Sequence, residues 1–172
     1  ISNGVFTTEL VSDYAAKDDT ADAFVKSIQE KNEALVNTVV ARTSVDLTTK
    51  RADGTRAVRN RETNLGDLCA DAYRAVSGAD IALVNGGGIR ASLHRGQITA
   101  GDCLDVLPFG NRLYFREATP RILYQALENG VSRVRGQDPE TGRIIGAGGG
   151  FPQISGVTMV YSPDRPVGER VM

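Results

Sequence analysis

Histidine and tryptophan are almost missing from this sequence: there is one histidine, His94, and no tryptophan among 172 residues. A catalytic zinc or a two-metal hydrolytic centre recruits several His and Asp ligands, and no CxxC, HExxH or HxD pattern occurs here. No metal centre can be assembled from these residues. His94, within Ser92-Leu93-His94-Arg95-Gly96, reads as a solvated loop residue. Cysteine is also scarce. Cys69 and Cys103 are too few for a disulfide framework. Each falls in an apolar pattern that suits a small core residue, so two buried free thiols are the favoured reading, and a single bridge stays open. No apolar run approaches the roughly 18 residues of a membrane span. The N-terminus lacks a basic stretch followed by an apolar one, so no signal peptide is visible. A start at Ile1 instead of Met suggests that something upstream was removed.

Charge of one sign is lacking too. The chain carries 20 basic and 21 acidic residues, a net charge of −1, which excludes a protein that grips a nucleic-acid polymer through bulk charge. What remains is ordinary: 41% apolar and 24% charged residues suit a single globular domain. A chain of this length buries roughly two-thirds of its unfolded surface, enough for a core without metals or disulfides.

Residues 1–18 have weak periodicity and read as a lead-in. From Thr20 to about Asn37 the spacing predicts a helix, with Phe24, Ile28 and Leu35 near one face. The Val- and Thr-rich stretch from Thr38 to Leu47 predicts a strand, and Asp53-Gly54 a turn. Leu65, Leu68, Cys69, Ala72, Tyr73 and Val76 follow helical spacing, with Thr63 or Asn64 as cap and Gly78 as stop. Ile81 to Val84 reads as a buried strand. Thr99 opens a short helix through Val106 with Asp102 placed for a capping box. Leu113 and Phe115 alternate as a strand. Thr119-Pro120 opens a helix to about Asn129-Gly130. Residues 135–150 read as a polar, glycine-rich loop, Val157 to Tyr161 as a strand, and Val171-Met172 as the start of another. Helices and strands alternate irregularly, so the expected class is α+β with a mixed sheet.

Three segments carry candidate chemistry. In Asn85-Gly86-Gly87-Gly88-Ile89-Arg90, a glycine bend after a strand could take left-handed conformations and expose successive N–H groups to a ligand. Arg90 adds a forked cation suited to phosphate oxygens. The plain alternative is a flexible turn with an incidental arginine. The same stretch matches G-x-G-x-x-A through Gly86, Gly88 and Ala91, but a dinucleotide loop must feed straight into a long helix, and the next helix begins only near Thr99. No G-x-x-x-x-G-K-[ST] exists. Phe109 in Pro108-Phe109-Gly110-Asn111 could stack on a planar base or sit in the core. Arg59 and Arg61, alternating on one strand face, could meet an anion, or one of them could pair with Glu62.

Taken together and in order, four blocks resemble the C-terminal domain of the 5'-nucleotidases, a family that includes periplasmic UDP-sugar hydrolases and 2',3'-cyclic nucleotide phosphodiesterases. The blocks are Arg59 to Leu68 (RNRETNLGDL), Leu83 to Arg90 (LVNGGGIR), Val106 to Asn111 (VLPFGN) and Gly150 to Gly156 (GFPQISG). The resemblance runs from about Val39 to Met172. It implies a lead-in over 1–18, an interdomain linker helix over 19–38 and a layered α/β domain of the α+β class over 39–172, without its last strands. It implies a substrate site in which Arg59 and Arg90 neutralise phosphate or cap the ribose, and Asn85 and Asn111 contact the nucleoside. Phe109 would be one half of an aromatic sandwich, Gly86, Gly87, Gly88 and Gly110 would shape the pocket, and Gly149 and Gly150 would lie near the base edge. Arg61 is a further candidate. No catalytic residue and no metal ligand is expected in this chain: the resemblance puts two divalent ions, such as zinc or manganese, in an N-terminal metallophosphoesterase domain. Periplasmic, cell-surface or secreted location is implied in the same way. The family's later N-F-x-x-x-G-G-D-G-[FY] block has no match after Tyr161, so a weakened base clamp is expected, and a non-catalytic interaction domain that kept the fold is the alternative.

Overall fold

Local capping chemistry sets the helices of this computed structural model, which describes residues 17–172 apart from 143 and 147. The lead-in lies almost wholly outside the described residues. Helix α1 (Asp19–Val36) opens on Asp18, whose carboxylate accepts the Ala21 N–H at 2.8 Å. None of its residues is buried, and Phe24 and Leu35 are at least 60% exposed, so its apolar stripe meets no described core. Helix α2 (Asn64–Ser77) is capped by the Thr63 hydroxyl, which accepts the Gly66 N–H at 3.1 Å, and stops at Gly78 with φ of 67°. That left-handed stop is where a side chain would be strained. Helix α3 (Ala100–Val106) has the reciprocal Thr99–Asp102 capping box, and α4 (Pro120–Val131) the Thr119 cap with Pro at its start.

Strands β1 (Val39–Thr43) and β3 (Gly96–Thr99) pair antiparallel, as do β2 (Ala82–Asn85) and β6 (Pro152–Ser155), and β4 (Arg135–Gln137) with β5 (Ile144–Ile145). The α+β class holds. The mixed sheet expected from the sequence is, among the described residues, three two-stranded antiparallel ladders. One apolar cluster packs α2 on β2 around Val58, Leu65, Ala70, Val84 and Ile89. A second gathers Leu127, Val131, Val134, Phe151 and Val171 under α4. The Arg170 guanidinium donates to the carbonyls of Val131, Ser132 and Val134, supplying donors to the end of α4 that the helix itself cannot.

Several expectations need correction. The last ladder strand is Pro152–Ser155, not Val157 to Tyr161: Gly156, at φ 86°, turns the chain out of the ladder, and Tyr161 makes only one bridge, to Val171. Residues 135–150 hold the β4–β5 hairpin, whose polar turn closes on the Asp138 side chain, acceptor for the N–H groups of Glu140 and Thr141. Leu113 and Phe115 are exposed in a segment with no ladder partner among the described residues. Arg59 and Arg61 stand in a turn, not on a strand face. Cys69 is buried, which pushes its thiol up to about 11, whereas Cys103 is exposed on α3 and both are free.

The α3 box yields a simple test. Thr99→Ala should remove about 1 kcal/mol of stability, read as a lower urea midpoint at an unchanged denaturant slope.

Candidate functional site

The stretch leading into β6 holds two loops at once. The Gly86 N–H donates to the Phe151 carbonyl at 2.8 Å, and the Gly87 N–H to that of Gly149 at 2.9 Å. Gly88 closes its own turn onto the Asn85 carbonyl at 2.9 Å. These N–H groups are therefore committed inside the protein, and none of the three glycines is among those with positive φ. The bend needs glycine for closeness instead: a Cβ on Gly86 would lie 1.8 Å from the Val58 carbonyl oxygen.

The Arg59 turn is tied to the same stretch. The Gly148 N–H donates to the Arg59 carbonyl at 3.1 Å. Buried Asn60 donates to the Gly146 carbonyl at 2.9 Å, accepts from Arg51 at 2.8 Å, and offers its own carbonyl to the Tyr161 hydroxyl at 2.6 Å. Burial pushes the Tyr161 phenol up to about 12, so it remains a donor through the neutral range.

Two loops thus deliver three guanidiniums to one place. Arg56 donates to the Ile89 carbonyl beside the glycine bend. Burial first, then the charges of Arg59 and Arg90, hold its guanidinium below its ordinary value. The Nε atoms of Arg56 and Arg59 are buried without a hydrogen-bond acceptor. None of the three cations forms an ion pair with a carboxylate among the described residues. Arg90 donates to the Gly87 carbonyl at 3.3 Å and lies 5.9 Å from the centre of the Phe109 ring. Phe109 is 60% exposed, which removes the core reading. The Asn85 amide reaches the Gly149 carbonyl at 3.4 Å. Concentrated positive charge with unsatisfied donors, next to an exposed ring, suits an anion attached to a flat apolar group.

The structure thus brings Arg59, Asn85, Arg90, Phe109 and Gly149 into one neighbourhood, with Gly110 at φ 57° turning the chain after the ring. Gly150 is exposed beside Gly149, and Asn111 is exposed two residues past Phe109. Arg61 goes elsewhere. It lines a separate cavity of 680 Å³ with Glu62, Asp67, Gln153 and Met159. Arg56 is the member that the sequence reading missed. It stands in the polar turn with Asp53-Gly54, and only the fold carries its side chain back to Ile89. His94 is solvent-exposed, 3.6 Å from the Asp46 carboxylate. Among the described residues no three His, Cys, Asp or Glu side chains converge to hold a metal ion, so they do not fit a two-metal centre. No helix among them is long and apolar enough to cross a membrane.

An α+β domain presenting an arginine cluster beside an exposed aromatic ring is the class of module so defined. The family model described as 5'-nucleotidase, C-terminal domain matches residues 39–172, and the chain belongs to that family. It is 43% identical over 125 residues to the trifunctional nucleotide phosphoesterase protein YfkN of Bacillus subtilis, covering 70% of this chain and 8% of that one. It is 33% identical over 132 residues to the snake venom 5'-nucleotidase of Gloydius brevicauda, covering 69% of this chain and 21% of that one. The solved 5'-nucleotidase precursor of Thermus thermophilus superposes with a TM-score of 0.72 at 38% identity, over 92% of this chain and 29% of that chain. The chain thus spans less than a third of the length of each of these proteins.

The separate cavity has its own electrostatics. Burial, together with the neighbouring carboxylates of Glu62 and Asp71, pushes the Asp67 carboxyl up to about 6. An unfolded Asp ionises near pH 3.9, so between there and pH 6 the unfolded chain releases a proton that the folded chain keeps. Stability falls as pH rises through that window, and the penalty is complete above it. Asp67→Asn should therefore raise the melting temperature at pH 7.5 and leave it nearly unchanged at pH 3.5, as followed by circular dichroism.

Proposed function

We propose that this chain is the nucleotide-binding portion of a metal-dependent 5'-nucleotidase, with the phosphate held by Arg56, Arg59 and Arg90 and the base laid against Phe109. The observation that carries the reading is the convergence of three guanidiniums with no carboxylate partner among the described residues. Buried donors left without acceptors are costly, and a phosphate supplies oxygens in the forked geometry that arginine prefers. Phe109 supplies a sequence-tolerant stacking face. Asn85 and Asn111 reach polar edges of the nucleoside. Gly110, Gly149 and Gly150, where an added Cβ would meet no neighbour, keep the surface low enough for it to approach, while the Gly86–Gly88 bend, packed inward on Val58 and Gly149, shapes the pocket by placing Asn85 and Arg90. Arg61 is the weakest member, since it lines the other cavity.

In this reading residues 39–172 form the substrate-binding domain, residues 19–38 the interdomain linker helix and residues 1–18 its lead-in. The reaction is hydrolysis of a phosphate monoester to nucleoside and phosphate. Two divalent ions, such as zinc or manganese, belong to an N-terminal metallophosphoesterase domain of the same parent protein, and the isolated chain does not hydrolyse its ligand. The setting is periplasmic, cell-surface or secreted, consistent with the venom relative. A second reading, a non-catalytic interaction domain, draws on the exposed Tyr114 and Phe115 next to Phe109. A parent protein without a metal-binding half would favour it.

Calorimetric titration with AMP, inorganic phosphate and adenosine tests the proposal. AMP should bind more tightly than either fragment. Arg59→Ala and Arg90→Ala should each weaken AMP by about ten-fold or more, equivalent to about 1.4 kcal/mol. Phe109→Ala should remove about 1–3 kcal/mol for AMP and leave phosphate unaffected. AMP affinity that ignores all three substitutions would contradict the reading.

A further inference from the structure

We propose that Gln153 is a positioning residue for the anion site, a buried amide that sets the backbone from which Arg59 projects. Its side chain is 1% exposed and both ends are fully engaged. Oε1 accepts from the Thr63 N–H at 3.1 Å and from the Thr63 hydroxyl at 3.4 Å. Nε2 donates to the carbonyls of Val58 at 3.1 Å and Arg61 at 2.8 Å. One amide therefore closes the backbone from 58 to 63 into a loop, with Arg59 inside it.

The orientation of that amide is fixed by chemistry. A flip would set an NH2 against the Thr63 N–H and an oxygen against two carbonyls. Space fixes it too: a Cβ on Gly66 would lie 1.9 Å from Oε1, so α2 passes against the amide with no side chain between. The backbone of Gln153 is held in turn, paired with Val84 in the β2–β6 ladder. Since β2 runs into the glycine bend, the residue that orients the Arg59 turn is registered directly against the strand that leads to Arg90. Its partners make the effect cumulative. Four consecutive carbonyls, from Val58 to Arg61, receive donors from Gln153, Gly148, Tyr161 and Gln153 again.

This geometry matters because like charges crowd the turn. Arg56, Arg59 and Arg90 have no carboxylate among the described residues to hold them together. Neutral backbone hydrogen bonds must hold the turn against that repulsion, and a neutral amide does so without occupying an anion-binding group. A carboxylate at position 153 would lose the two donated bonds and face the carbonyls of Val58 and Arg61.

The inference rests on the anion-binding reading of Arg59, and its test separates the two. Gln153→Met keeps the length of the side chain and removes its hydrogen bonds; Gly78→Ala, at the left-handed stop of α2, serves as a destabilised control whose added Cβ meets no neighbour. At a temperature where both variants remain folded, Gln153→Met should weaken AMP binding about ten-fold, with Gly78→Ala within about two-fold of the parent chain. In an Arg59→Ala background Gln153→Met should add less than about two-fold, because its effect passes through Arg59. Unchanged affinity in Gln153→Met, or an undiminished loss in the Arg59→Ala background, would overturn the proposal. Should the parent chain bind neither AMP nor phosphate, the nucleotide reading fails and amide exchange decides on Gln153. Faster exchange at Asn60, Arg61 and Thr63 with the interior of α2 unchanged would support its positioning role, and unchanged exchange there would refute it.

Discussion

Four neighbouring carbonyl oxygens, from Val58 to Arg61, accept hydrogen bonds from the chain between Gly148 and Tyr161, and that strip of contacts organises the molecule. The same chain segment accepts the N–H groups of Gly86 and Gly87 through Phe151 and Gly149. Two loops far apart in sequence are thus registered against one template. A backbone polar group buried without a partner is expensive, so the loops have few other arrangements that satisfy them. Glycine at 86 is a steric requirement of this stitching, with the Val58 carbonyl directly against it. The segment Gly148–Gln153 is where a side-chain change would be felt at both loops.

The electrostatic consequence follows from that rigidity. Three arginines held together without an acid would normally swing apart into water. Here backbone geometry and the Arg56 bond to Ile89 limit that escape, and the buried Nε atoms of Arg56 and Arg59 are left with donors unspent. In the proposed reading, this arrangement is unfavourable in isolation and becomes favourable when an anion arrives, as in a preorganised binding site. The Glu62 and Asp67 carboxyls, which could have neutralised the cluster, face the 680 Å³ cavity with Arg61 instead. Of the two arginines of this turn, Arg61 lines that cavity and Arg59 does not, its charge acting on Arg56 instead.

Much of this was legible in the residues, for a physical reason. Helix ends are local: Thr63, Gly78, the Thr99–Asp102 box and Thr119-Pro120 act within a few residues of themselves, and each was readable. Strand partners are not local. The pairing of Leu83 with Ile154 joins residues that no short window connects, and the alternation at Leu113 and Phe115 signals a strand without saying whether one lies beside it. The hairpin of β4 and β5 was hidden because its turn is polar and rich in glycine, the composition of a loop. The four sequence blocks marked the candidate neighbourhood, yet two assignments within it needed coordinates. The glycine bend looked like a source of free N–H donors until its partners at Phe151 and Gly149 appeared. Arg56 looked like part of a surface turn until its side chain was seen beneath Ile89.

A crystal of this chain grown with AMP, at a resolution that separates phosphate from base, tests the central claim most directly. The account predicts phosphate oxygens within hydrogen-bond distance of Arg56, Arg59 and Arg90, the adenine ring parallel to Phe109, and a Val58–Arg61 backbone that scarcely moves from its unliganded course. Phosphate bound in the Arg61–Asp67 cavity, or an Arg59 turn that rearranges to meet its ligand, would contradict it.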